Sequence, residues 1–408
     1  MRKMSSTTRY LVLLLLVALC FKTAWLGIQL YVLEDRDGYL YPSYSDEWRY
    51  HQEGVGVYEH LLSGGISLKE AVEYHHAIRW TIHWGYPVMM GYIYYFLNNS
   101  DVNNIRLLNV FFSIISVLLA YAILMELKMP NRFIFFMMLP VVVWPSINLF
   151  ASTALKEPSV IALLLAAIFL FHKLFKIQFR EHQGRKALQS MWVSLGLGAL
   201  ILLSTVFRAI LPVSLILSFT FTMALVSKSS TKKAFLVVGV IFLVIFLLNI
   251  STTAGRIFDI TGDVVFSRRY GVSDIARIIF QYCRFFINPL PGQAYPDFRQ
   301  IGNYTFFIKV FVSSCALFFG ASTLIRKNRL EDFSRATVIL IFFQIMLLGF
   351  GYVVNGVAGM RQQHQVWLPL WILFTVGLFN NRRQMLFVGG AVSMFSGFIL
   401  LLYLMFVS

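Results

Sequence analysis

Long apolar runs broken by short polar segments occupy most of this chain, and their lengths set the first expectation. Tyr10–Leu33 is long enough to cross a bilayer, which takes about 20 residues. Further runs follow at Ile105–Leu127, Phe133–Leu149, Ser159–Phe175, Met191–Val206, Ala209–Val226 and Ala234–Ile250, then at Tyr304–Ile325, Ala336–Val354, Val366–Phe379 and Met385–Val407. The pattern predicts an all-α polytopic membrane protein of about eleven transmembrane helices, in one membrane domain over 1–408. Two stretches interrupt it, Glu34–Asn104 and Ser251–Asn303, and both mix polar residues with aromatic ones.

The segment Trp84–Leu97 decides the topology. Were it a span, every later basic loop would face outside. Laid flat, with Trp80, Trp84, Tyr86, Tyr92, Tyr94 and Tyr95 at headgroup level, it puts all the basic segments on one side. These segments hold Arg2, Lys3 and Arg9; Lys128 and Arg132; Lys173 to Lys186; Lys228 to Lys233; Arg326 to Arg335; and Arg382 with Arg383. The positive-inside rule selects the flat arrangement. It predicts a cytoplasmic N-terminus, an external C-terminus and the first outer loop at 34–104. In the second outer loop, 251–303, Ile275, Ile278, Ile279, Tyr282 and Phe286 recur at helical spacing, which predicts another interfacial helix. Tyr10–Leu33 is too long for a signal-peptide core and lacks a small-residue cleavage site, so an uncleaved helix is expected.

Composition agrees with this class: 58% of the 408 residues are hydrophobic and only 13% charged, against about 25% in soluble domains. The net charge of +16 would suit nucleic acid, but 19 of the 35 Lys and Arg lie in six short segments between apolar runs, a distribution that rejects that reading. Fifteen of the 19 acidic residues fall on the predicted outer side, as an external site would require. Three cysteines give neither a disulfide framework nor metal-ligand spacing. Lys22 lies inside the first run, where a charge costs at least ~2.5 kcal/mol unless it faces protein or water; a contact inside the helix bundle or with substrate is expected.

Candidate chemistry lies on the outer side. Asp46 and Glu47, in Pro42-Ser43-Tyr44-Ser45-Asp46-Glu47-Trp48-Arg49-Tyr50, read as an acidic-aromatic loop whose carboxylates can deprotonate an acceptor hydroxyl or hold a divalent metal. Lys156 and Glu157 stand in a short turn before Pro158, beside a helix N-terminus that favours phosphate. Arg208 lies between two apolar runs, and an arginine there must pair, snorkel or bind an anion. Arg361 and His364, in the glycine-containing turn 355–365, offer further donors. A solvated loop, a capped turn with a surface ion pair, and snorkelling arginines account for the same residues without function.

Three short elements in order, Asp46-Glu47 with Tyr50, Gly85-Tyr86-Pro87 and Arg106-Leu107-Leu108-Asn109, resemble the membrane-embedded glycosyltransferases of the C superfamily, in the protein-mannosyltransferase and aminoarabinose-transferase branch. The resemblance covers about the first 125 residues. It implies interfacial helices in the first outer loop, and Asp46 as the carboxylate near the acceptor with Glu47 supporting it. The chain departs from that branch at Lys156-Glu157, where many relatives carry an Asp. The expected partners are a sugar donor on polyprenyl phosphate or pyrophosphate, a glycan, lipid or protein acceptor, and membrane lipid. The expected place is the outer face of the cytoplasmic membrane. A polysaccharide polymerase or ligase needs similar outer arginines. A lipid-linked sugar flippase would need charges deep in several spans, which carry few beyond Lys22 and Lys309.

Overall fold

The computed structural model describes residues 6–34, 46–64, 67–78, 84–179, 186–208, 210–226, 282, 285–286, 299–325, 330–354 and 360–407. Every regular element among them is a helix. Six are long and apolar enough to cross a membrane: Thr8–Tyr31, Val102–Glu126, Glu157–Ile177, Leu188–Phe207, Ile308–Ile325 and Asp332–Tyr352. The predicted span Ala234–Ile250 and most of the predicted interfacial helix around Ile275–Phe286 lie outside the described residues. The chain divides into two compact units, Met1–Leu170 with Trp192–Pro212 and Phe171–Met191 with Val213–Ser408.

In the first unit, α1 (Ser6–Glu34) runs parallel to α6 (Asn131–Val143) and α7 (Pro145–Ala151). Tyr10 meets Phe135 near one end, Lys22 Nζ donates to Asn148 Oδ1 at 3.0 Å further along, and Ser152 donates to Gln29 beyond that. Lys22 is thus buried on a polar partner within the bundle, one of the two contacts expected for it.

The predicted span Phe133–Leu149 is instead two helices. Pro145 drives the residue before it out of the helical region, and Trp144 sits at φ −63°, ψ 122°. Asn148 Nδ2 spans the break, donating to the Val142 and Trp144 carbonyl groups at 2.9 Å each. Thirteen residues of α6 rise only about 20 Å, short of the ~30 Å hydrocarbon core.

The first polar stretch is also more ordered than a loop. Asp46 and Glu47 form the first turn of α2 (Asp46–Leu62), where negative charge complements the helix dipole. Its buried positions, Glu47, Tyr50, Glu53, Gly54, Val57 and Leu61, recur every three or four residues and make one face. That face lies on α4 (Gly85–Leu97); α3 (Leu68–Ile78) adds Ala71 to the same cluster. The crossing is close enough to require glycine: a Cβ on Gly91 would lie 2.4 Å from Val57 Cγ1.

The placement of α4 bears on the topology. Its first turn lies beside Asn109 of α5 (Val102–Glu126), and its last residue is five positions before α5 begins. Asn109 is about 10 Å inside the start of α5. Both ends of α4 therefore stay near the same end of α5, so this apolar segment does not run the length of the bundle. Asn98 ends α4 in the left-handed region, which asparagine tolerates, and Asp101 caps α5 through the Asn103 N–H at 2.9 Å.

The first unit is completed by the start of α8 (Glu157–Phe179) and most of α9 (Lys186–Phe207). In the second unit, α11 (Arg299–Ile325), α12 (Asp332–Val354) and α13 (Met360–Val407) lie against one another. Gly389 of α13 approaches Cys315 and Phe311 so closely that a Cβ would stand 2.4 Å from the sulfur. Helix α10 (Ile210–Val226) joins α12 through buried Gln344, which donates to Ser214 and accepts from Ser218, both at 2.8 Å. The predicted spans Val366–Phe379 and Met385–Val407 both lie within α13, on either side of non-helical Asn381.

Candidate functional site

Glu47 anchors the candidate site. Its side chain is 0% exposed, and a buried carboxylate must be paired and hydrogen-bonded. Oε1 accepts from Arg106 Nε at 3.1 Å and Nη2 at 3.0 Å, and from the backbone N–H of Ala154 at 2.8 Å. Arg106 Nη1 donates to Asn103 Oδ1 at 2.9 Å. One acid thus joins three segments: the start of α2, the start of α5, and the turn between α7 and α8. Glu47 is thus a tie between elements.

Asn109, one turn deeper on α5, holds that turn from the other side. Its Nδ2 lies 2.6 Å from the Thr153 carbonyl oxygen, 2.7 Å from that of Leu155 and 2.9 Å from the Tyr86 hydroxyl. Burial holds the Tyr86 phenol well above its ordinary pKa, with the Asn109 hydrogen bond opposing, so the hydroxyl keeps its proton. The ring stands edge-on to Tyr50 at 5.4 Å and to Phe207 at 6.4 Å. Gly85 explains its own identity: a Cβ there would lie 2.6 Å from Val206 Cγ2, so the last turn of α9 closes directly over the first turn of α4.

Lys156 and Glu157 follow the braced turn. Both are buried, and Lys156 Nζ lies 5.3 Å from the centre of the Tyr50 ring, a cation–π distance. Helix α8 starts at Glu157 with Pro158 in its first turn, as the sequence predicts, and Ser159 Oγ donates to the Lys156 carbonyl at 2.7 Å. Arg208 stands one residue past α9, its N–H donating to Ser204 O at 2.8 Å, and Nη2 lies 4.0 Å from Glu157 Oε1.

Asp46 differs from its neighbour. It is 27% exposed and pairs with Arg49 at 3.0 Å, while Arg49 also reaches Glu53 at 3.7 Å and lies 5.1 Å from the Tyr50 ring centre. His51 contacts the Tyr94 hydroxyl at 2.9 Å; burial and the Arg106 charge hold its pKa below the ordinary imidazole value, with Asp101 opposing.

Five sequence-predicted residues, Asp46, Glu47, Lys156, Glu157 and Arg208, therefore meet around one end of the first unit. Arg361 and His364 belong to α13 in the second unit; His364 is buried, and the Arg361 side chain lies outside what is described. Among the described residues no three His, Cys, Asp or Glu side chains come together as a metal site. Arg106 and Asn109 entered the sequence reading only as parts of a short motif, and their contacts are what tie α2 and the turn before α8 to α5. Comparison with protein-family models, curated proteins and solved structures gives no match.

Proposed function

We propose that the chain is a multi-pass membrane glycosyltransferase that moves a sugar from a polyprenyl phosphate or pyrophosphate to an acceptor at the outer face of the cytoplasmic membrane. The observation that carries this reading is the Glu47 contact set. By joining α2 to the 152–156 turn, it brings the partly exposed Asp46 carboxylate to the same end as Lys156, the α8 N-terminus and Arg208.

Such a site divides the labour of an inverting transfer. Asp46 takes the proton of the acceptor hydroxyl as its oxygen attacks the sugar C1. The bond from C1 to the phosphate oxygen breaks, and the lipid phosphate departs as an anion. Lys156, the positive end of the α8 dipole and Arg208 offset its charge. Glu47 and Arg106, occupied with each other, hold the frame. Eleven spans with α4 lying flat in the outer interface complete the proposal, and the return of α4 to one end of α5 favours that arrangement over a crossing.

Topology is testable without substrate. Single cysteines at Asn99 and Ser100 are expected to react with a membrane-impermeant thiol reagent in intact cells, whereas cysteines at Lys128 and Gly184 react only after lysis. Labelling at Gly184 but not Asn99 would reverse the orientation and remove the external site.

Arg208 offers a sharper test of chemistry. A guanidinium gripping phosphate with two parallel N–H groups is poorly replaced by an ammonium, while a snorkelling cation is replaced readily. Arg208→Lys is expected to lose at least about tenfold in kcat/KM for the lipid-linked donor, a loss of 1.4 kcal/mol. Unchanged donor affinity and turnover would assign this arginine to membrane-interface packing.

A further inference from the structure

The turn before α8 is held at three consecutive residues, each by a side chain from another helix. The Ala154 N–H goes to Glu47, while the carbonyl groups of Thr153 and Leu155, on either side, both face Asn109 Nδ2. Asn109 is fully buried, and its orientation is not a free choice. Two carbonyl oxygens within 2.7 Å can be met only by the amide NH2, since an amide oxygen there would face two other acceptors. The amide has two hydrogens and three acceptors in reach, so the carbonyl oxygens at 2.6 and 2.7 Å take one each and the Tyr86 hydroxyl, at 2.9 Å, shares in one of them. Asn109 Oδ1 is left buried without a hydrogen-bond partner among the described residues, a cost of about 1–3 kcal/mol that the two carbonyl bonds offset.

Packing alone does not call for an asparagine here. What it does is fix the direction of the Leu155 peptide, and Lys156 is the next residue. The Lys156 carbonyl is held in turn by Ser159 Oγ and the Val160 N–H at 3.0 Å. The backbone of Lys156 is therefore set from both sides, and its ammonium reaches the Tyr50 ring from a prescribed origin.

We infer that Asn109 is a positioning residue for the lipid-phosphate site: by clamping the carbonyl groups of Thr153 and Leu155 it aims Lys156 and the α8 N-terminus at the phosphate. This rests on the glycosyltransferase reading above and deepens it. Asn109 touches no substrate and acts through Lys156.

The test is a double-mutant cycle in binding. Wild type, Asn109→Ala, Lys156→Gln and the double variant are placed in nanodiscs of neutral lipid, and affinity for polyprenyl phosphate is measured. Asn109→Ala is expected to weaken binding about tenfold, as loss of two hydrogen bonds allows. The double variant is expected to bind no more than about twofold worse than Lys156→Gln alone, because residues acting through one another are not additive. Tyr86→Phe removes the neighbouring hydroxyl while leaving both carbonyl bonds, and it should stay within about twofold of wild type. Should Asn109→Ala not accumulate as folded protein, Asn109→Ser takes its place in the same cycle. Losses that multiply in the double variant, or an equal loss in Tyr86→Phe, would overturn the positioning role and leave the wild-type site standing. Absence of polyprenyl phosphate binding by the wild type would remove the functional reading and this inference together.

Discussion

Arg106→Leu should produce the largest loss of stability in the molecule. The guanidinium provides two of the three hydrogen bonds on Glu47 Oε1, and both side chains are essentially without solvent. Removing the arginine strips the buried carboxylate of both of these bonds and of its counter-charge. Breaking one side of a buried pair costs about 3–5 kcal/mol, because the remaining charge keeps its desolvation penalty. Glu47→Gln should cost less: it removes the counter-charge of Arg106, but the amide oxygen still accepts from both Arg106 and the Ala154 N–H, and Arg106 keeps its bond to Asn103. The double variant Glu47→Gln/Arg106→Leu should recover part of the single-variant loss. Reversible unfolding of the purified protein reads all three. A change below about 1 kcal/mol in Arg106→Leu would show that the contact does not hold α2 to α5.

The sequence reading reached the class of fold readily and the architecture of the site only in part. Apolar runs are a local signal, and α5, α8, α11 and α12 begin within several residues of the predicted limits. The break at Trp144 was missed because an apolar run of that length hides the one residue that matters. Pro145 carried the information, since the position before a proline is biased away from helix. Pro42, Ser43 and Ser45 resemble turn chemistry and the helical stripe of α2 includes Glu47, Glu53 and Gly54, so the sequence predicts a loop where α2 starts. A stripe that buries acids does not look apolar.

Pairings at the site were less legible still. Arg106 and Glu47 are 59 positions apart, and Asn109 lies 44 and 46 positions from its two carbonyl partners. Nothing local marks such contacts. The elements Arg106-Leu107-Leu108-Asn109 and Gly85-Tyr86-Pro87 were noticed for their likeness to a family, and the structure supplies a physical reason for each polar or small member. Arg106 neutralises Glu47, Asn109 braces the turn, and Gly85 lets Val206 close in. Together they form a common frame for the site.

Asp46→Asn carries the largest expected effect on activity. Asparagine keeps the shape, the place in the first turn of α2 and most hydrogen bonds, but removes the negative charge and the base. Asp46 is partly exposed, and its pairing with Arg49 is worth at most about 1 kcal/mol, so folding should barely change. If Asp46 takes the acceptor proton, transfer should fall ~100-fold or more, within the usual range for a general base. At 1.36 kcal/mol per factor of ten, that is about 2.7 kcal/mol in the transition state. Glu47→Gln should lose less transfer per folded molecule. The decisive measurement uses purified wild-type and Asp46→Asn protein with a radiolabelled polyprenyl-phosphate sugar pool, scored separately for donor binding and for sugar transfer. The account predicts transfer by the wild type, and equal donor binding with transfer reduced ~100-fold or more in the variant. Undiminished transfer by Asp46→Asn, or movement of the donor across vesicles by the wild type without any transfer, would contradict it.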